Sequence, residues 1–255
     1  IVPVFNIAYA PNLTKNSFVD RNFLYNTDRI VRWAGKILRP MGISTDPQQV
    51  IVGYSDWLYL GDKYDQILTA GRRTPLEADF FLCAEIRQAI EAWDVTLASK
   101  GVKLFRVLIG PNKSSIYPEY MPTWARPVAP NVTDTLLSGS HKFIDLRKAL
   151  LLAKQRYKIP LYYKTDTHWN FLGASVAFQE FSLQVGNLVP EIKWPNTNAY
   201  QIREMAIREG GDLANFLRLS HDISEFEPIL ESTQNWGVVT QTNFDTQEVL
   251  PHGGP

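Results

Sequence analysis

Val102-Lys-Leu-Phe-Arg-Val-Leu-Ile109 is a β-rich run halted by Gly110-Pro111, and it follows a long helical stretch directly. Thr74 as N-cap, Pro75 at the first helical position and Glu77 three residues past the cap form a capping box, which predicts the helix start there. Leu76, Phe80, Cys83, Ile86, Ile90, Trp93 and Leu97 recur at three- and four-residue steps, so one apolar stripe is expected to face the core and end before Gly101. A helix feeding an apolar strand is half of a parallel α/β unit. The alternation returns with a helix over Leu146 to Lys158, a strand over Ile159 to Lys164 and a helix over Asn170 to Leu188. The expectation is an α/β fold with a mostly parallel central sheet.

Upstream, Val50-Ile-Val-Gly53 and Trp57-Leu-Tyr-Leu60 flank Tyr54-Ser55-Asp56 and read as a hairpin. Residues 1–48 carry one helical stretch, Tyr25 to Leu38 ahead of Pro40, and read as an N-terminal extension packing on a main body of residues 49–255. The chain has 255 residues, 45% hydrophobic and 20% charged, enough for a buried core. Its 26 Lys and Arg balance 26 Asp and Glu, so no global field draws it to nucleic acid, and none is expected as a partner. A single cysteine, Cys83, excludes an intrachain disulfide framework and any multi-cysteine metal site.

In open α/β folds ligands bind beyond the carboxyl ends of strands, which directs attention to the segments after Ile109 and after Lys164. The second reads Lys164-Thr-Asp-Thr-His-Trp-Asn170. Residues two apart in extended chain project to one side, so Asp166 and His168 can face one cleft as a base and its orienting acid. Asn170 is a plausible N-cap, and the helix end it starts opposes imidazolium while Asp166 favours it, each by about 1 kcal/mol. The first segment, Gly110-Pro-Asn-Lys-Ser-Ser-Ile-Tyr117, offers an amide at Asn112, a positive charge at Lys113 and an aromatic surface at Tyr117; Tyr163 and Trp169 add to a sugar platform. His141, His221 and His252 sit in polar context and are expected at the surface. No metal site is expected, because no further ligand is spaced near Asp166 and His168.

Four blocks occur in one order: 50–61, Pro111-Asn-Lys-Ser-Ser-Ile-Tyr-Pro-Glu119, Tyr163-Lys-Thr-Asp-Thr-His-Trp-Asn170 with Gly173-Ala174, and Gly211-Asp-Leu-Ala214. Together they resemble the SGNH-hydrolase-like acetyltransferases of the alginate O-acetylation machinery. The resemblance implies a three-layer α/β fold and an extracytoplasmic, periplasmic bacterial enzyme. Such an enzyme moves acetyl groups onto hydroxyls of an exported polysaccharide through a Ser-His-Asp triad, with Asp166 and His168 as acid and base. It implies an acetyl donor but no resident cofactor, a membrane-bound partner that supplies acetyl groups, and anchoring through a segment outside this sequence. The family's serine follows the Asp-x-His block by roughly a hundred residues, in a Gly-Asp-Ser-like turn after a strand. No such turn occurs between Gly211 and Pro255, and Ser55 is followed by a β-rich run where a nucleophile elbow needs a helix. The expectation is that the nucleophile segment lies beyond Pro255. The alternatives are a carbohydrate acetylesterase or a non-catalytic glycan-binding or assembly subunit of the same fold.

Overall fold

The structure, a computed structural model, describes residues 1–195 and 198–233. In chain order the α-helices are α1 (Val2–Ala8), α2 (Arg21–Leu24), α3 (Asp28–Leu38), α4 (Ile67–Gly71), α5 (Glu77–Ser99), α6 (Lys113–Ile116), α7 (Val132–Leu137), α8 (Arg147–Arg156), α9 (Phe171–Gly186) and α10 (Asp212–Phe216). The strands are β1 (Val50–Val52), β2 (Leu58–Leu60), β3 (Val107–Ile109), β4 (Phe143–Asp145), β5 (Tyr200–Glu209) and β6 (Ser224–Ser232).

The expected hairpin is present: β1 and β2 pair antiparallel with Ile51 opposite Tyr59. Ser55 and Asp56 hold positive φ angles of 54° and 68° at its tip, the left-handed pair that a tight turn compatible with strand twist requires. Its alternation buries both faces, because neighbouring residues point to opposite sides. Ile51 and Tyr59 enter a core with Ile116, Leu150, Leu161 and Leu172, while Val50, Val52 and Leu58 pack on Leu213 and Leu217 beside α10.

The sheet differs from expectation. Among the described residues there are three two-stranded sheets: parallel β3–β4, antiparallel β1–β2 and a long antiparallel β5–β6 ribbon with an irregularity between Ile202 and Glu204. Residues 159–164 form no strand. Pro160 has no N–H to give to a ladder, and the stretch folds back on itself, with Tyr162 bridging Trp169 and the Asn170 N–H on the Leu161 carbonyl (3.0 Å).

The N-cap of α5 is Leu76, two residues beyond the expected cap at Thr74. Asp79 accepts from the Leu76 N–H (2.7 Å) and pairs with Arg73, so the first-turn carboxylate comes from Asp79 where Glu77 was expected. Its stripe is also not the expected core face. Cys83 is buried, Ile86, Ile90 and Leu97 are half-buried, and Leu76, Phe80 and Trp93 are exposed. Periodicity names the apolar side of a helix but not what covers it. Here α7 covers the level of Cys83 and Arg87, whose guanidinium donates to the Thr135 carbonyl (2.9 Å), and Phe105 meets Trp93.

Residues 1–48 touch the remainder through ion pairs: Asp222 takes Arg32 (2.5 Å) and Lys36 (2.8 Å), and Asp28 takes Arg218 (2.6 Å). Gly35 of α3 faces Leu219, where an added Cβ would lie 3.2 Å away. No helix among the described residues is long and apolar enough to cross a membrane.

Candidate active site

A turn over residues 163–168 is held by four elements of the fold. Lys113, in the first turn of α6, extends its ammonium to the main-chain carbonyls of Tyr163 (3.0 Å), Lys164 (2.9 Å) and Asp166 (2.7 Å). The Leu58 N–H of β2 shares the Lys164 carbonyl (2.8 Å). From the ribbon, Glu225 accepts the Lys164 N–H (2.6 Å) and the Thr165 hydroxyl, and Glu227 accepts the Tyr163 hydroxyl. From the start of α10, the Gly211 N–H donates to Thr165 Oγ1 (2.9 Å) and the Ala214 N–H to the Thr165 carbonyl (3.1 Å).

On this turn Asp166 Oδ1 lies 2.7 Å from His168 Nδ1 and also accepts the His168 main-chain N–H (3.1 Å). Its other oxygen accepts from Arg208 of β5 (3.3 Å), whose guanidinium lies 4.0 Å above the Tyr163 ring. Burial works to raise the Asp166 pKa, but the hydrogen bonds from the His168 ring and main chain, helped by Arg208, outweigh it and hold the carboxyl below its ordinary value. The imidazole side chain is 75% exposed, and no hydrogen bond to Nε2 is made among the described residues. A carboxylate on Nδ1 with Nε2 open to solvent is the arrangement a general base needs.

The residues expected at a ligand divide. Asn112 is exposed and lines a small cleft of about 60 Å³ together with Ser114, Thr167, Leu68, Met121 and Leu213. Trp169 is half-buried, edge-on to Tyr162 and close over Gly110. Lys113 is only 4% exposed. Its charge acts on the turn's carbonyls, where the sequence had suggested a ligand. Burial pulls its pKa down to about 7, against the opposing pull of Glu225, Asp212 and Asp166. Tyr117 is a core residue: its hydroxyl accepts the Leu161 N–H (2.8 Å), its ring stacks on Trp57, and burial pushes its pKa up to about 12. Tyr163 is buried beneath Arg208. His141 and His221 are exposed, and His221 pairs with Glu209 (2.8 Å); His252 lies outside the described residues.

Asp212 was not singled out from the sequence, although it lies in the Gly211-Asp-Leu-Ala214 block. Its carboxylate accepts the Thr167 N–H (2.8 Å) and hydroxyl (2.5 Å), and Oδ2 lies 3.9 Å from His168 Nδ1. It supplies the third metal-ligand type that spacing had not suggested, since ligand atoms of Asp166, His168 and Asp212 lie within 4.8 Å of one another. Within the group Asp166 Oδ1 and His168 Nδ1 are hydrogen-bonded to each other, and Asp212 Oδ2 accepts the Thr167 hydroxyl. Arg208, Glu225 and Glu227 were also missed. The one available signal was Glu225 and Glu227 two apart in a strand, which places both acids on one face.

A mixed α/β scaffold with a buried acid on an exposed imidazole defines a class, and similarity to known proteins specifies it. Residues 50–250 match the family described as "SGNH hydrolase-like domain, acetyltransferase AlgX", and the chain belongs to that family. Among curated relatives, "Probable alginate O-acetylase AlgJ" of Pseudomonas syringae pv. tomato is 29% identical over 188 residues, covering 70% of this chain and 44% of its own length. The chain therefore spans under half the length of that relative. Among solved structures, the O-acetyltransferase domain of Pseudomonas putida AlgJ shares the fold at a TM-score of 0.50 and 24% identity, over 72% of this chain and 66% of that one. Bacillus cereus PatB1 aligns at 0.49 and 17%, over 73% and 58%.

Proposed function

We propose that this chain carries the acid and base of an O-acetyltransferase that acts on hydroxyls of an exported bacterial polysaccharide. Family membership supports the acyl-transfer chemistry, and the observation that carries the reading is the 2.7 Å contact between Asp166 and the Nδ1 of an exposed imidazole. In this reading a serine outside the described residues attacks the acyl carbon of the donor while His168 Nε2 takes the hydroxyl proton. The acyl-serine forms and the donor's leaving group departs with that proton. A sugar hydroxyl then gives its proton to Nε2 as its oxygen attacks the acyl carbon, and the serine oxygen recovers the proton as the new ester leaves. Asp166 holds the imidazole in the tautomer that keeps Nε2 free to accept. Asn112 at the cleft and Trp169 beside the turn are proposed ligand contacts. A periplasmic setting and a membrane partner that supplies acetyl groups belong to the same proposal.

The test uses the full-length protein with an acetyl ester donor and a polysaccharide acceptor. His168→Ala is expected to lower turnover by at least about a thousandfold. A loss of under tenfold would remove His168 as the base. Acetylated glycan as the main product supports the transferase, whereas acetate released to water would make the protein an esterase. Glycan binding without any turnover would make it a binding subunit.

A further inference from the structure

The peptide bond between Asp166 and Thr167 is gripped at both ends. Its carbonyl oxygen takes the Lys113 ammonium at 2.7 Å, and its N–H donates to Asp212 Oδ1 at 2.8 Å. A peptide dipole has its positive end at N–H and its negative end at C=O, so a cation on the oxygen and an anion on the N–H both favour this one orientation. Hydrogen bonds to charged groups are stronger than neutral ones. The plane so fixed lies one bond beyond Asp166 and one residue ahead of His168. Rotating it would move the Asp166 carboxylate and the imidazole relative to each other. Asp212 also reaches His168 through the Thr167 hydroxyl, which lies 3.2 Å from Nδ1.

We propose that Lys113 and Asp212 are positioning residues that clamp the Asp166–Thr167 peptide between opposite charges and thereby set the geometry of the acid–base pair. The inference rests on the reading of His168 as the base, but the clamp itself is a statement about geometry. Neither residue touches the reacting atoms. Lys113 comes from the start of α6 and Asp212 from the start of α10, so the clamp couples two separate elements of the fold to the turn.

The primary experiment, run below pH 7 where Lys113 keeps its proton, follows the His168 ring in the full-length protein by nitrogen-15 NMR and by the downfield proton resonance of the Nδ1–H to Asp166 hydrogen bond. Lys113→Met and Asp212→Ala are each expected to broaden or abolish that resonance. Asp212→Asn, which keeps an oxygen for the Thr167 N–H, is expected to retain it. In the activity assay, Lys113→Met and Asp212→Ala should each lower kcat about a hundredfold, with KM changed less than about threefold, because misplacement of the pair affects the chemical step. Asp212→Asn should recover to within about tenfold of the wild type. The effects of Lys113→Met and Asp212→Ala combined should fall well short of their product, since either change alone frees the same peptide. An unchanged Nδ1 resonance in Asp212→Ala overturns the clamp, and so do fully multiplicative losses. If Lys113→Met fails to fold, the partly exposed Asp212 series decides the matter. If no variant including the wild type turns over substrate while the resonance responds as expected, the clamp stands and the catalytic reading falls.

Discussion

Gly211 leaves no space for a side chain: an added Cβ would lie 2.3 Å from Asp166 Oδ2. Its φ of −76° suits any residue, so the demand is for room and not for backbone freedom. Gly211→Ala should displace the Asp166 carboxylate, cost about 1–3 kcal/mol of stability by overpacking and shift the His168 ring resonances; urea unfolding and NMR measure the two effects. Lys113 makes a second prediction at this scale. Its folded-state pKa is lowered to about 7 from the ordinary lysine value, so above pH 7 the unfolded chain binds more protons than the folded one. Stability should then rise relative to Lys113→Met between pH 7 and 9, with a slope of up to about 1.4 kcal/mol per pH unit, and the contribution should be flat below pH 7. Equal slopes for the two proteins across that window would contradict the assignment.

At the scale of an element, α9 depends on Asn170. The buried side chain accepts the Gly173 N–H (3.0 Å) and donates to the Pro160 carbonyl (2.6 Å), which closes the 161–170 turn as it caps the helix. Asn170→Ala should cost about 1–2 kcal/mol in chemical unfolding, while Asn170→Ser or Asp should retain part of the cap. The neighbouring turn was misread for a related reason. An apolar run after a helix suggested a strand, but Lys113 and Leu58, both distant in sequence, take the carbonyls that a ladder would have used. The hairpin 50–60 and the start of α9 were legible because a turn pair and a capping side chain are local devices. The exposed half of the α5 stripe was not, because burial depends on which element packs against a face.

At the scale of the whole molecule, residues 1–48 are tied to the remainder by ion pairs around Asp222, whose carboxyl is held well below the usual carboxylate range by the Arg32 hydrogen bond and by Lys36. Arg32 and Lys36 are about half exposed, so the stabilisation is screened and modest. Asp222→Asn should lower global stability by about 1 kcal/mol or less, yet speed proteolytic cleavage within the first 48 residues, read by fragment masses at low and high salt. A rate of cleavage unaffected by the substitution would show that apolar contacts such as Gly35 against Leu219 hold the segment.

The pairing of Asp166 with His168 was written into a seven-residue stretch, because two-residue spacing and a following N-cap act over a few bonds. The family could be read from four blocks for the same reason. Lys113 and Tyr117, expected at a ligand, are buried and hold the turn and the core, since a charge or a ring has the same chemistry inside or out until packing sets its surroundings. Asp212 and Arg208, over forty residues from Asp166 along the chain, became its neighbours only when α10 and the β5–β6 ribbon closed on the turn. Local bonding rules are carried by the amino-acid order, whereas the electrostatic surroundings of the pair exist only after distant segments have been brought within a few ångströms.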